Sequence, residues 1–398
     1  MHDRGRETTV QFLNGKTITV TTPYMLPRKK KKRGRKRRRG SRGKGGAGIF
    51  PVLKMLGIIA GASPALCEKT MLGVMSNTFA EAEEALRRDG VMISAKRLRT
   101  ISMKFSSAAL EERQRRMEAF RRGEIVKSDI RLNGRRIAIT IDGGRIRTRR
   151  AKGGRRKKGS ARAGFFTDWK EPKLFSIYEL DEKGRKKKKG FISCDGTIDG
   201  PEGMMDILAT ELAAHNVADA TAVVVIADGA PWIWNRIDEL LVRAGVNLEK
   251  VTKILDFYHA AEHLKAISEI LYSSPAKQKQ WFNRMRHTLK TSPPKIFMEE
   301  LEKSIGGKKD GTLLRGHAYF KANFASINYR LFKKMSQPIG SGVIESTIRR
   351  VINLRLKGAG MFWIKENAEG LLHLRCQLKS GNWDSFYEKT IGNLSRRE

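Results

Sequence analysis

Polar and apolar residues alternate along TTVQFLNGKTITVTT, positions 8–22, about a central Asn14-Gly15. Alternation with period two around Asn-Gly predicts a β-hairpin, here within residues 1–27. The pattern then stops. RKKKKRGRKRRRGSRGKGG, Arg28 to Gly46, has nothing to bury and repels itself, which predicts a disordered polybasic arm over 28–48. From 49 to 125 the periodicity is helical. IFPVLKMLGIIAG reads as a buried helix, and SPALCEKTMLGVM as a second with Ser63 as N-cap and Pro64 in its first turn. Asn77 or Thr78 caps FAEAEEALRR, and Ser94 opens a long basic helix, SAKRLRTISMKFSSAALEERQRRMEAFRRG. Short helices, a glycine turn and a basic helix fit a helix-turn-helix reader of DNA, with Lys96, Arg97 and Arg99 toward the duplex; a plain bundle fits as well.

Strand signals begin near 126. DIRLNGRRIAITIDGG reads as a hairpin about Asn133-Gly134, its second strand running from Ile137 into Asp142. A basic loop, Arg145 to Arg162, precedes two further strands, KLFSIYEL and FISCDG. A helix over Pro201 to His215 follows, then TAVVVIADG, an unbroken apolar run of the kind buried on both faces, ending at Asp228. The helix PWIWNRIDELLVRAG, the strand VTKILD and a helix from Phe257 complete an α/β order, antiparallel at first and then parallel. Residues 260–336 read as helices broken at TSPP and SIGGKKDG, an insertion into the α/β domain. In 337–398, VIESTIRRVINLRLK is amphipathic and ENAEGLLHLRCQLKSG forms the last long helix.

Charge changes the picture most. Lys and Arg number 80 against 41 Asp and Glu, a net +39 with pI near 10.5, and the excess is clustered. Such an excess points to a polyanion, because neutralising phosphates releases condensed counterions. A non-specific tether and an arm lying in a narrow minor groove through Arg33 and Arg35 are both open readings of the polybasic stretch. No apolar run is long enough to span a membrane and no secretory signal opens the chain. Cys67, Cys194 and Cys376 are scattered, which argues against a disulfide framework or cysteine-rich zinc site and favours the cytoplasm.

Candidate chemistry lies in the carboxylates. Asp142 and Asp228 end apolar strands, and Glu345 stands on a later helix. Strand ends in an α/β sheet converge on one crevice, and hard oxygen ligands placed there suit two Mg²⁺ or Mn²⁺ ions. Taken singly, both aspartates precede glycine as in ordinary turns, and Glu345 could pair with Arg349 one turn on.

The stretches IFPVLKMLGI with SPAL, ITIDGGRIRTRR, VVIADGAPWIW, ILDFYHAAEHL and PIGSGVIESTIRRVINLRLKGAGMFW, followed by LLHLRCQLKSGNWDSFY, resemble insertion-sequence transposases of the DDE superfamily, closest to the Kra-type branch and more distantly the Mutator-like one. The resemblance covers about residues 49 to 387. It implies an RNase H-like catalytic fold over 126–259 and 337–398, interrupted by the helical insertion, with Asp142, Asp228 and Glu345 as the metal triad. It also implies that Asp256 and His259, in DFYH, support the active site; for His259, helix packing is an equal reading. The start departs from the family, since polybasic sequence stands where relatives often carry cysteine-rich elements.

Arg145 and Arg147 beside Asp142, and Arg349, Arg355 and Lys357 near Glu345, read as phosphate grips or as solvated surface. Trp232, Trp234 and Trp363 read as packing, with DNA contact as the alternative. The expected partners are DNA, both element ends and target, and further copies of the chain, in a nucleoid-associated cytoplasmic setting. A non-enzymatic nucleic-acid-binding protein and a nuclease that cuts without joining are the rival functions.

Overall fold

The computed structural model describes residues 5–25, 48–153 and 164–396. Arg33 and Arg35, with most of the 28–48 arm, lie outside the described residues. The chain divides into two compact units, one of residues 1–112 with 382–398 and one of 113–381.

The first unit opens with the expected hairpin, β1 (Arg6–Gln11) against β2 (Thr17–Thr22), with Gly15 in the left-handed conformation its turn requires. The first helix is a correction. α1 spans only Pro51–Met55, and Val52, Met55 and Leu56 are exposed. Gly57 and Gly61, both at positive φ, turn the chain, and Ile59 and Ala62 bond to each other instead of continuing a helix. α2 (Pro64–Ser76) and α3 (Phe79–Arg88) start where their caps predict: Ser63 Oγ accepts from Leu66 N, and Thr78 forms a reciprocal capping box with Glu81. α4 (Ala95–Arg121) follows as one long helix.

The second unit is built on a five-stranded mixed sheet, compatible with an RNase H-like fold. Its strands are β3 (Arg136–Gly143), β6 (Lys173–Glu179), β7 (Ile192–Thr197), β8 (Ala222–Ala227) and β9 (Val251–Leu255), after an intervening ribbon of β4 (Ile146–Ala151) and β5 (Phe165–Lys170). The order is β7-β6-β3-β8-β9, antiparallel between β7, β6 and β3 and parallel from β3 through β9. Period-two burial sends Ile137, Ile139 and Ile141 to one face, under α5 (Pro201–Ala214) and α6 (Pro231–Arg243). Ala138, Val224, Ile226 and Ile254 face the other side, under α7 (Phe257–Leu271) and the helices α8 (Pro275–Thr291), α9 (Pro294–Ile305), α10 (Gly311–Ala322) and α11 (Tyr329–Lys334). β8 is buried on both faces, and each such aliphatic side chain contributes about 1.5–3 kcal/mol.

Two strand expectations need correction. The segment before Asn133-Gly134 is not a strand, because Ser128, Leu132 and Gly134 donate to carbonyls of Ala214, His215 and Asp219 instead of pairing with β3. Of the basic loop expected over Arg145 to Arg162, residues 146–151 form β4, paired with β5 in a ribbon whose arginine and aromatic side chains meet across the two strands, and residues 154–162 lie outside the described residues.

α12 (Gly342–Ile348) carries Glu345 and runs into a π-helical turn, Arg349–Asn353. Two carbonyls of that turn, those of Arg350 and Val351, accept from the buried Arg375 of α13 (Lys365–Lys379). α13 is not the last helix: α14 (Trp383–Arg396) follows, packing Trp383 and Tyr387 about Phe105 within the first unit. The segment 337–398 is therefore shared between the two units. Among the described residues no helix is long and apolar enough to cross a membrane, and all three cysteines are buried and unbridged.

Candidate active site

The parallel register builds the site. Thr140 on β3 stands opposite Ile226 on β8, and Ala227 stands opposite Leu255 on β9. Carried on to the strand ends, the same register aligns Asp142 with Asp228 and Asp228 with Asp256. Neighbouring strands lie roughly 4.8 Å apart, so three aspartates form a row across one end of the sheet. Their parity places them on the side that carries the insertion. α12 packs on that side, against β3 and β6, where its Thr347 hydroxyl bonds to Ser176 at 3.0 Å. Close approach is possible because residue 144 is glycine: a Cβ there would stand 2.3 Å from Ile352 of the π-helical turn.

Asp142 and Asp228 are half-buried and Glu345 is exposed. Asp142 Oδ1 accepts from Gly143 N at 2.6 Å, and Asp228 Oδ1 from Ala230 N at 2.9 Å, so each carboxylate also braces its own turn. Burial pushes the Asp142 carboxyl above the ordinary carboxylate range, against the pull of the Gly143 N–H. The negative charges of Asp228 and Glu345 add to the rise, and His259 works against it. Asp142 thus feels the charges of the other two residues singled out from the sequence. As they stand, no three His, Cys, Asp or Glu side chains among the described residues are grouped so as to hold a metal ion. The chemistry of the donor set suits a hard divalent cation, since all three side chains offer carboxylate oxygens.

Asp256 has a different task. It is fully buried at the start of α7, where one oxygen accepts from Tyr258 N and His259 N. The other accepts from Ser341 N at 2.7 Å and from the Ser341 hydroxyl. Ser341 is the residue before α12, so Asp256 ties the end of β9 to the start of the helix bearing Glu345. With four donors on its two oxygens, Asp256 is a positioning group. His259 is part-exposed, 3.4 Å from Glu262, and close enough to influence Asp142.

The insertion also reaches the row. Tyr319 of α10 donates to the Asp228 carbonyl at 2.8 Å and stacks on His263, with centroids 3.7 Å apart. Burial pushes the His263 pKa down, and the neighbouring His259 adds to this. Gly229, at φ +89°, has no room for a side chain: a Cβ would lie 2.8 Å from Leu255 and 2.9 Å from Tyr319. Sequence reasoning missed Tyr319 and Ser341, since each acts through contacts distant along the chain. Only the Asp-Gly turn signal was legible.

The basic candidates separate. Lys96, Arg99, Arg145, Arg349 and Lys357 are exposed. Arg97 is engaged inside the first unit, donating to Gln11 at 2.7 Å and to the Gly61 carbonyl at 2.9 Å. Arg355 is buried against Trp363, its guanidinium 5.2 Å from the ring, and so is a packing residue where a groove-lining one was expected. Arg147 donates to the Gly358 carbonyl and lies over Trp169 and Phe362. Trp232 and Trp234 are part-buried against the core, the packing expected of them.

No protein-family model and no curated protein matches the chain. Among solved structures the chain is similar to the Drosophila P element transposase strand transfer complex, at a TM-score of 0.23 and 11% sequence identity over 82% of each chain. At that score the likeness carries no argument about fold or function.

Proposed function

We propose that the chain is a DDE-type transposase that cleaves DNA strands at the ends of a mobile element and joins them to target DNA. This reading is supported by one observation: Asp142 and Asp228 each stand two residues beyond the last paired residues of adjacent parallel strands, Thr140 and Ile226, and Asp142 feels the charge of both Asp228 and Glu345. Carboxylates that repel one another would be relieved by divalent cations, and the net charge of +39 would draw a polyanion toward them. Two Mg²⁺ or Mn²⁺ ions held by Asp142, Asp228 and Glu345 would supply Lewis-acid activation of the attacking oxygen and stabilisation of the leaving one.

The chain's own residues do the rest. Asp256, through Ser341, sets where α12 begins and hence where Glu345 stands. Tyr319 holds the turn after Asp228. Exposed Arg145, Arg349 and Lys357 would take phosphates flanking the scissile bond. In the first reaction water attacks a phosphodiester and the P–O3′ bond breaks, leaving a 3′-hydroxyl and a 5′-phosphate at the two new ends of the cut strand. In the second that hydroxyl attacks a target phosphodiester in line, one P–O bond forming as another breaks. No Ser or Tyr nucleophile is required. A homo-oligomer is expected, because two ends are held together for joining.

The test is incubation with end-bearing DNA and Mg²⁺ or Mn²⁺, with products resolved by strand. Nicked and joined products support the proposal. Binding without breakage would make this a non-enzymatic DNA-binding protein, and hydrolysis without joining a nuclease.

A further inference from the structure

The β4–β5 ribbon leaves the sheet beside the candidate active site. β3 and β6 pair as far as Gly143 and Lys173, Gly144 N donates to the Pro172 carbonyl, and pairing resumes between Ile146 and Lys170. The base of the ribbon is thus four residues from Asp142. Every residue of β5 is exposed, and among them are three aromatic rings: Phe165 at 39%, Phe166 at 51% and Trp169 at 51%. Exposed rings on a two-stranded ribbon lack the core that would normally justify them.

Each ring is paired with a cation. Arg147 lies 5.7 Å from Trp169 directly across the ribbon, Arg149 lies 5.5 Å from Phe165 on the same face, and Arg150 lies 5.4 Å from Phe166 on the other. The guanidinium groups lie within cation–π distance of the rings they accompany, so positive charge and aromatic surface are presented together. The ribbon is also braced from outside: Trp363 N donates to the Arg147 carbonyl and Arg149 N to the Trp363 carbonyl, in the segment that follows the Glu345 helix.

We propose that this ribbon holds unpaired nucleotides next to the strand being cut, bases stacked along the face that carries Trp169 and Phe165 and phosphates against the arginines. The inference rests on the reading of the chain as one that acts on DNA. Charge complementarity selects nucleic acid, and the rings select the unpaired form. Inside a duplex the base faces are hidden in the stack, whereas a single strand offers them to aromatic side chains without regard to sequence. A ribbon reading a duplex groove would present polar side chains to base edges instead.

The experiment compares a blunt duplex with the same duplex bearing a short single-stranded thymine tail, by fluorescence anisotropy at physiological salt. Wild-type protein is expected to bind the tailed DNA about tenfold more tightly, the scale of one good stacking contact. Trp169→Ala with Phe165→Ala should abolish that preference while changing blunt-duplex affinity less than about twofold, and Trp169→Phe should retain most of it. Thermal melting of each variant confirms folding. A second readout places an adenine analogue whose emission falls on stacking in the tail; quenching by wild type and not by the double variant is expected. Equal wild-type affinity for the two DNAs, or variants that weaken both equally, would overturn the ribbon's role while leaving DNA cleavage intact. Failure to bind either DNA would overturn both readings.

Discussion

At the scale of single residues the account turns on Asp142. Its carboxyl is raised above the usual range by burial, with Asp228 and Glu345 adding to the effect. A carboxyl whose folded value is raised favours the fold only while protonated; that advantage is complete below the ordinary carboxylate range and gone once pH rises through the folded value. Near neutrality the ionised Asp142 therefore works against stability. Asp142→Asn is expected to raise the melting temperature at pH 7, with the difference shrinking as pH falls into the carboxylate range. The same change should lower strand cleavage by about three orders of magnitude, since several kcal/mol of transition-state stabilisation would go with it. Calorimetry and a cleavage time course on one preparation check both halves. A variant less stable than wild type at pH 7 would mean that Asp142 serves the fold. Asp142 and Asp228 were legible in the sequence because each ends an apolar run. Arg97 was not, because its partners Gln11 and Gly61 lie far along the chain, and Arg355 was not, because the fold of the segment up to Trp363 buries it.

Among elements, the decisive one is α12, whose seven residues carry Glu345 without a side-chain cap of their own. Asp256 stands in for that cap from the end of β9, through the backbone and hydroxyl of Ser341. Ser341→Ala is expected to cost about 1–3 kcal/mol, the range for a hydrogen bond to a charged group. It should slow cleavage with little effect on DNA affinity, and Ser341→Thr should restore part of the rate. Urea unfolding and single-turnover cleavage separate the two effects; unaltered cleavage in a destabilised Ser341→Ala would reduce this bond to a purely structural one. Periodicity located the strands of the mixed sheet, and capping residues located α2, α3 and α4. It misplaced α1, where the apolar run hides two glycines at positive φ, and it missed the β4–β5 ribbon, where the arginines read as a loop. In that ribbon the cross-strand rings, and not core burial, accompany the strand conformation.

Across the whole molecule, an excess of positive charge this large is a load on stability. In the second unit buried acids are matched with bases: Arg116 lies 2.9 Å from Glu211, and Arg113 and His373 both meet Asp195. Burial would push Glu211 up, but Arg116 and His215 prevail and hold it at about 2. A depressed carboxyl contributes stability above its unfolded value, and that contribution is lost as pH falls. Between about pH 4.5 and about pH 2 the second unit is expected to lose stability steadily, and Glu211→Gln should flatten that part of the profile, as followed by circular dichroism. A profile unchanged in the variant would place the acid sensitivity elsewhere. The central claim, however, is that one cluster of carboxylates holds the catalytic cations. Titration of Mn²⁺ into the full-length protein, followed by the loss of the free-ion electron paramagnetic resonance signal, tests it most directly. The account predicts saturable uptake that Asp228→Asn and Glu345→Gln each weaken by tenfold or more (~1.4 kcal/mol), with both variants folded. Uptake by those variants equal to wild type would contradict it.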